Sequence, residues 1–144
     1  MLTTHNYILY AENKPADLER LRQKLAEIHC NMDLVSFNNG LELVQYLGSV
    51  PETNALPRCI FLAISMPVWD GIRTLSTLKM KEIWKSVPVI VMADPSEVKD
   101  GELSVKLGAD KCIFKPLNAT DLTFLKGTSA QVPGEQIPVQ IIFT

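Results

Sequence analysis

Five short apolar runs recur along the chain, and a segment with helical spacing follows each of them. The runs are Tyr7-Ile8-Leu9-Tyr10-Ala11, Leu34-Val35-Ser36-Phe37, Cys59-Ile60-Phe61-Leu62-Ala63, Pro88-Val89-Ile90-Val91-Met92-Ala93 and Cys112-Ile113-Phe114. Runs this short and this apolar suit parallel strands buried on both faces. After the first, Leu18, Leu21, Leu25 and Ile28 repeat at three- and four-residue steps and make one apolar helix face. Pro15 opens that helix, since its fixed φ suits a first-turn position. Asn38-Asn39-Gly40 turns the chain into a second helix carrying Leu41, Val44, Tyr46 and Leu47. A third is expected from Gly71 to Ile83, and a fourth from about Pro95 to Leu107. Asn118 is placed to cap a short last helix running to about Lys126. Strand–helix alternation of this kind implies a parallel sheet with helices on both faces. The expected class is therefore α/β, a doubly wound five-stranded parallel sheet in three layers.

A chain of 144 residues can bury one core of this type. Apolar residues make up 47% and charged residues 21%, a globular composition. The formal net charge is −2, with both signs scattered. Bulk charge thus gives no pull towards nucleic acid or an anionic membrane. No apolar run approaches the roughly 18 residues of a membrane span. Met1 to Asn6 lacks the basic and apolar regions of a signal peptide, so a cytoplasmic location is expected. Cys30, Cys59 and Cys112 are widely spaced and read as reduced thiols. His5 and His29 stand alone, without the pattern of a metal site.

In doubly wound sheets, ligands bind beyond the carboxyl ends of the strands. The positions that matter are therefore Glu12 and Asn13, Ala63 to Pro67, Ala93 and Asp94, and Lys115 and Pro116. The loop Ala11-Glu12-Asn13-Lys14-Pro15 contains no glycine, so a phosphate cradle for a nucleotide or flavin is not expected there. No nucleophile–base pair or metal triad stands out either. Neither an enzyme nor a cofactor is expected.

Two motifs at these strand ends are more specific. Ser65-Met66-Pro67-Val68-Trp69-Asp70-Gly71 follows the third run, and Gly108-Ala109-Asp110 leads to Lys115-Pro116. Together with Glu12 after the first run, they resemble a response-regulator receiver domain, over roughly Tyr7 to Leu125. The resemblance implies a flavodoxin-like strand order 2-1-3-4-5. It also implies a chemistry in which an aspartate closing the third strand accepts a phosphoryl group. A carboxylate pair after the first strand then holds Mg²⁺. A Thr or Ser after the fourth strand and a Lys after the fifth contact the phosphoryl oxygens.

Carried over position by position, that chemistry is mostly missing. The acceptor position, four residues before Pro67, is Ala63, and a methyl group forms no acyl phosphate. The carboxylate pair is Glu12-Asn13, the hydroxyl position is Ala93, and the aromatic switch position before Lys115 is Cys112. Mg²⁺ prefers charged oxygen ligands and dehydrates reluctantly, so its binding should be weak. The family pattern further implies a cis Lys115–Pro116 bond. Lys115 is expected to pair with Glu12 across the site, replacing the charge of a metal.

The expected function is a phosphorylation-independent interaction module, a degenerate receiver, in two-component-type signalling. Its partner would be a histidine kinase, a phosphorelay protein or another signalling protein. One alternative is a single-domain regulator with acceptor chemistry moved to Ser65 or Asp94, although Asp94 before Pro95 reads first as a helix cap. Another is a small-ligand binder of flavodoxin-like shape. Trp69 is either an exposed interface anchor or a lid over the site, and Trp84 is expected at an edge of the packing. Cys112 falls on the face of the fourth helix, fifth strand and last helix, where the family's partners often bind. Residues 1–126 are expected to form the domain and 127–144 a linker and strand-like tail. The tail, Ile137 to Thr144, has β-branched and apolar character. It is expected to dock on its own domain or on a second copy, with Phe143 as a contact, and the last helix and tail could build a homodimer.

Overall fold

In the computed structural model, which describes residues 7–50 and 56–126, burial sorts the strands by position. β1 (Tyr7–Ala11), β3 (Cys59–Ala63) and β4 (Val89–Ala93) are buried at every residue. β2 (Asp33–Phe37) and β5 (Lys111–Phe114) are only partly buried. The sheet order β2-β1-β3-β4-β5 explains the difference, because the outer two strands are the edges. All four pairings are parallel, with Tyr7 beside Asp33, Ile8 beside Cys59, Ile60 beside Val89 and Val91 beside Cys112.

Side chains alternate across the sheet, as strand geometry requires, and build two cores. Leu9, Ile60, Leu62, Val89 and Val91 face one side, with Leu43, Leu47, Leu75 and Leu78. These four leucines come from α2 (Gly40–Ser49) and α3 (Gly71–Met80). Ile8, Tyr10, Phe61, Ile90 and Met92 face the other side, against Leu21 and Leu25 of α1 (Pro15–Glu27). That layer is closed by Leu122 and Leu125 of a 3-10 helix, Ala119–Leu125. The fourth helix, α4 (Val98–Lys106), lies against β4 and β5. The doubly wound order 2-1-3-4-5 is thus the observed architecture.

Three expectations need correction. α3 ends at Met80 rather than Ile83, because Lys81 turns extended at φ −91° and ψ 121°. The turns that follow bury Trp84, 7% exposed, in the α2–α3 core, so Trp84 is not edge packing. α4 begins at Val98 rather than near Pro95. Asp94 to Glu97 instead forms a turn closed by the Glu97 amide donating to the Asp94 carbonyl at 2.8 Å. Pro95 sits at the second position of that turn, where its fixed φ is favoured.

The start of α3 depends on one glycine. The Gly71 amide donates to the Ile64 carbonyl at 2.8 Å. A Cβ at residue 71 would stand 2.2 Å from the Ala63 carbonyl oxygen and 2.9 Å from the Ile64 Cα. Only glycine lets α3 begin this close to the end of β3. The preceding turn carries a less comfortable residue, since Val68 is held at φ 64°.

Candidate functional site

The strand ends bring a charged cluster together at the carboxyl edge of the sheet. Glu12 continues β1, its amide donating to the Phe37 carbonyl at 2.9 Å. This fixes a carboxylate that is itself 0% exposed. Burying such a charge is costly unless every oxygen is partnered, and here both are. Oε1 accepts from the Tyr10 hydroxyl at 2.8 Å and from Lys115 Nζ at 3.0 Å. Oε2 accepts from the Lys14 amide at 3.3 Å. Burial and the adjacent Glu12 push the Tyr10 phenol far above its ordinary pKa, so it stays a donor.

Lys115 is positioned from the other end of the sheet. Its amide donates to the Ala93 carbonyl at 2.8 Å, and its bond to Pro116 is cis. Its ammonium reaches Asp17 Oδ2 at 2.8 Å, in the first turn of α1, and stands 3.7 Å from Asp94 Oδ1. Lys14 Nζ lies 3.3 Å from the other Asp94 oxygen. Burial alone would weaken the hold of Lys115 on its proton. Its hydrogen bonds to Asp17 and Glu12 outweigh that and raise its pKa. A cation reaching Glu12 and Asp94 from outside would have to displace this ammonium.

The remaining predicted positions fall around this cluster without joining it. Ala63, 1% exposed, and Ala93, 0% exposed, present only methyl groups at the ends of β3 and β4. Asn13 is exposed and lines an open cleft with Lys14, Ser65, Asp70 and Asp100. Cys112 is half-buried beneath α4, close to Gly101. Phe143 lies outside the described residues, as do the whole tail and His5.

Two readings of the sequence change. Asp94 does not cap a helix, because the Asp94–Glu97 turn delays α4 and leaves its carboxylate facing Lys14 and Lys115. Glu97 takes over the local bonding, accepting from the Asp94 amide at 2.7 Å and from the Ser65 hydroxyl. Trp69 is half-buried and stacks against Arg73, whose guanidinium carbon is 4.2 Å from the ring centre. It lies along α3 rather than over the cleft. Asp17, Tyr10 and Lys14 were not singled out in the sequence. An acidic residue in a first helical turn reads as a favourable charge for the helix dipole, which hides Asp17's role at a strand end.

A five-stranded doubly wound sheet with an acid–lysine cluster where β1, β4 and β5 end defines the receiver class of two-component signalling domains. The chain belongs to the response regulator receiver domain family, which it matches over residues 8–125. It is 36% identical over 108 residues to the transcriptional regulatory protein CpxR homolog of Haemophilus influenzae, a match covering 74% of this chain and 42% of that protein. The chain therefore spans less than half the length of that relative. It also resembles the signal receiver domain of a signal transduction histidine kinase from Syntrophus aciditrophicus, at 29% identity and TM-score 0.68, covering 81% of this chain and 83% of that one. The phosphorylated cyanobacterial phytochrome response regulator RcpA is similar at 27% identity and TM-score 0.69, covering 86% and 90%. Among the described residues, no helix is long and apolar enough to cross a membrane.

Proposed function

We propose that this receiver domain is a phosphorylation-independent interaction module, acting on a histidine kinase, phosphorelay protein or other signalling protein through its folded surface. The observation that carries the reading is Lys115 held among Glu12, Asp17 and Asp94, at a sheet edge where β3 ends in Ala63. The residues do not fit Mg²⁺. Glu12 has both oxygens engaged, Asp94 is shared between two lysines, and positions 63 and 93 offer no side-chain oxygen. The Lys115 and Lys14 ammoniums already offset much of the charge of these carboxylates, which supports a site that works without a metal.

The groups that could replace an aspartate acceptor are also occupied. Ser65 donates its hydroxyl to Glu97, and Asp94 is held by Lys14 and Lys115. The test is intact mass after incubation with acetyl phosphate and Mg²⁺, with Trp fluorescence followed in parallel. An unchanged mass and unchanged fluorescence are expected. A Mg²⁺-dependent phosphate adduct would refute the reading; a labile one lost in Asp94→Asn would place it on Asp94, and a stable one lost in Ser65→Ala would place it on Ser65.

A further inference from the structure

Arg58 is a buried charge that the carboxyl-edge site does not use. It precedes β3, its amide donating to the Tyr7 carbonyl at 2.9 Å, and it is 3% exposed. Among the described residues, Nε and Nη1 of its guanidinium have no hydrogen-bond partner. A buried cation with unsatisfied donors is costly, and an anion beside it would satisfy them. Burial lowers the pKa of Arg58, and the ionisable groups acting against that are Cys59 and Cys30. Negative charge beside this guanidinium can thus come from sulfur.

The two cysteines differ in access. Cys59 opens β3 at 0% exposed, and burial pushes its thiol far above the ordinary range, which keeps it neutral. Cys30 follows α1, its amide donating to the Leu25 carbonyl at 2.9 Å. It packs in the same core layer as Cys59, yet it also lines a cleft of about 510 Å³ with Arg22, Leu25, Met32 and Leu34. One water occupies roughly 30 Å³, so this cleft admits a molecule as small as hydrogen peroxide. Reactive cysteines occupy accessible, electropositive places, whereas those buried in apolar surroundings are inert.

We propose that Cys30 is an oxidation site, at which hydrogen peroxide forms a sulfenate that Arg58 binds. The Cys30 thiol gives its proton to solvent, and the thiolate sulfur attacks one peroxide oxygen. An S–O bond forms as the O–O bond breaks, so sulfur is oxidised by two electrons and the peroxide is reduced. The departing hydroxide takes up a proton and leaves as water. The sulfenic acid then loses its own proton to solvent, and its oxygen accepts from Nε or Nη1 of Arg58. Arg58 and Cys30 precede β3 and β2, at the opposite end of the sheet from Lys115, so the site is independent of whether the domain accepts phosphate.

The test takes the full chain, reduced and freed of reductant, and adds equimolar hydrogen peroxide with excess dimedone to trap sulfenic acid. Mass mapping of the three cysteine peptides then gives a rate for each. Cys112 is the internal reference, because it is half-buried and so more exposed than Cys30. Labelling at Cys30 should be at least about tenfold faster than at Cys112. Arg58→Met should slow Cys30 at least about tenfold and leave Cys112 unchanged. Circular dichroism reports whether Arg58→Met folds; if it does not, the ratio of Cys30 to Cys112 in the parent chain decides. Labelling at Cys30 no faster than at Cys112 would overturn the proposal, as would an unchanged Cys30 rate in folded Arg58→Met. A Cys30–Cys59 disulfide in place of the trapped sulfenic acid would overturn it equally, since Arg58 would then hold no oxyanion.

Discussion

Lys115 Nζ sits 3.0 Å from Glu12 Oε1, joining two residues 103 positions apart at the carboxyl edge of the sheet. The lysine side chain is 11% exposed and the glutamate side chain 0%, so the pair is shielded from solvent on the glutamate side. Removing one member of such a pair leaves an uncompensated buried charge, whereas removing both does not.

Lys115→Met should therefore destabilise the domain by about 3–5 kcal/mol, measured by urea unfolding. Glu12→Gln combined with Lys115→Met should recover a large part of that loss. If the double variant is as unstable as the single one, the two residues are not coupled as described.

The raised pKa of Lys115 gives a pH dependence with a definite sign. A proton held more tightly in the folded state stabilises it below the unfolded lysine value of about 10.4. That stabilisation is lost as pH rises through the folded value. The stability difference between the parent chain and Lys115→Met should be level near neutrality and shrink only above about pH 10. A difference that shrinks between about pH 6 and 8 would point to another titrating group.

Gly71→Ala should cost about 2–3 kcal/mol, since the added methyl meets backbone atoms that cannot rotate away. Thermal unfolding with circular dichroism would measure it. An unchanged midpoint would mean that α3 can start farther from β3 without penalty.

Val68 faces the opposite situation. Its φ of 64° disfavours a β-branched side chain, and its side chain is 67% exposed, leaving little packing to lose. Val68→Gly should stabilise the domain by about 0.5–1 kcal/mol, read from the urea midpoint. A destabilisation would show that the Val68 side chain contributes more than its conformation costs.

Restoring Mg²⁺ binding should require carboxylates at both position 63 and position 13. Ala63→Asp alone should leave Trp fluorescence unchanged during a Mg²⁺ titration. Ala63→Asp with Asn13→Asp should give a saturable change, with Trp69 in the neighbouring turn as reporter. A saturable response from the single variant would show that the carboxylate at position 13 is not required.

The sequence by itself determined the architecture and the positions of its strand ends. Apolar runs such as Ile60-Phe61-Leu62 and Val89-Ile90-Val91 are legible because burial on both faces leaves no polar alternative. Ala63, Ala93 and the Glu12–Lys115 pairing were legible through the resemblance to receiver domains, which implies where each position of the site falls along the chain. The roles of Asp17 and Asp94 were not. Asp17 stands 98 residues from Lys115 and reads locally as a helix-dipole acid. Asp94 reads locally as a cap, until the Asp94–Glu97 turn moves the helix start to Val98. Electrostatic partnership falls off with distance in space rather than distance along the chain. Only the packing of α1 on the sheet beside the 3-10 helix, and the turn after β4, could decide which carboxylates surround the lysine.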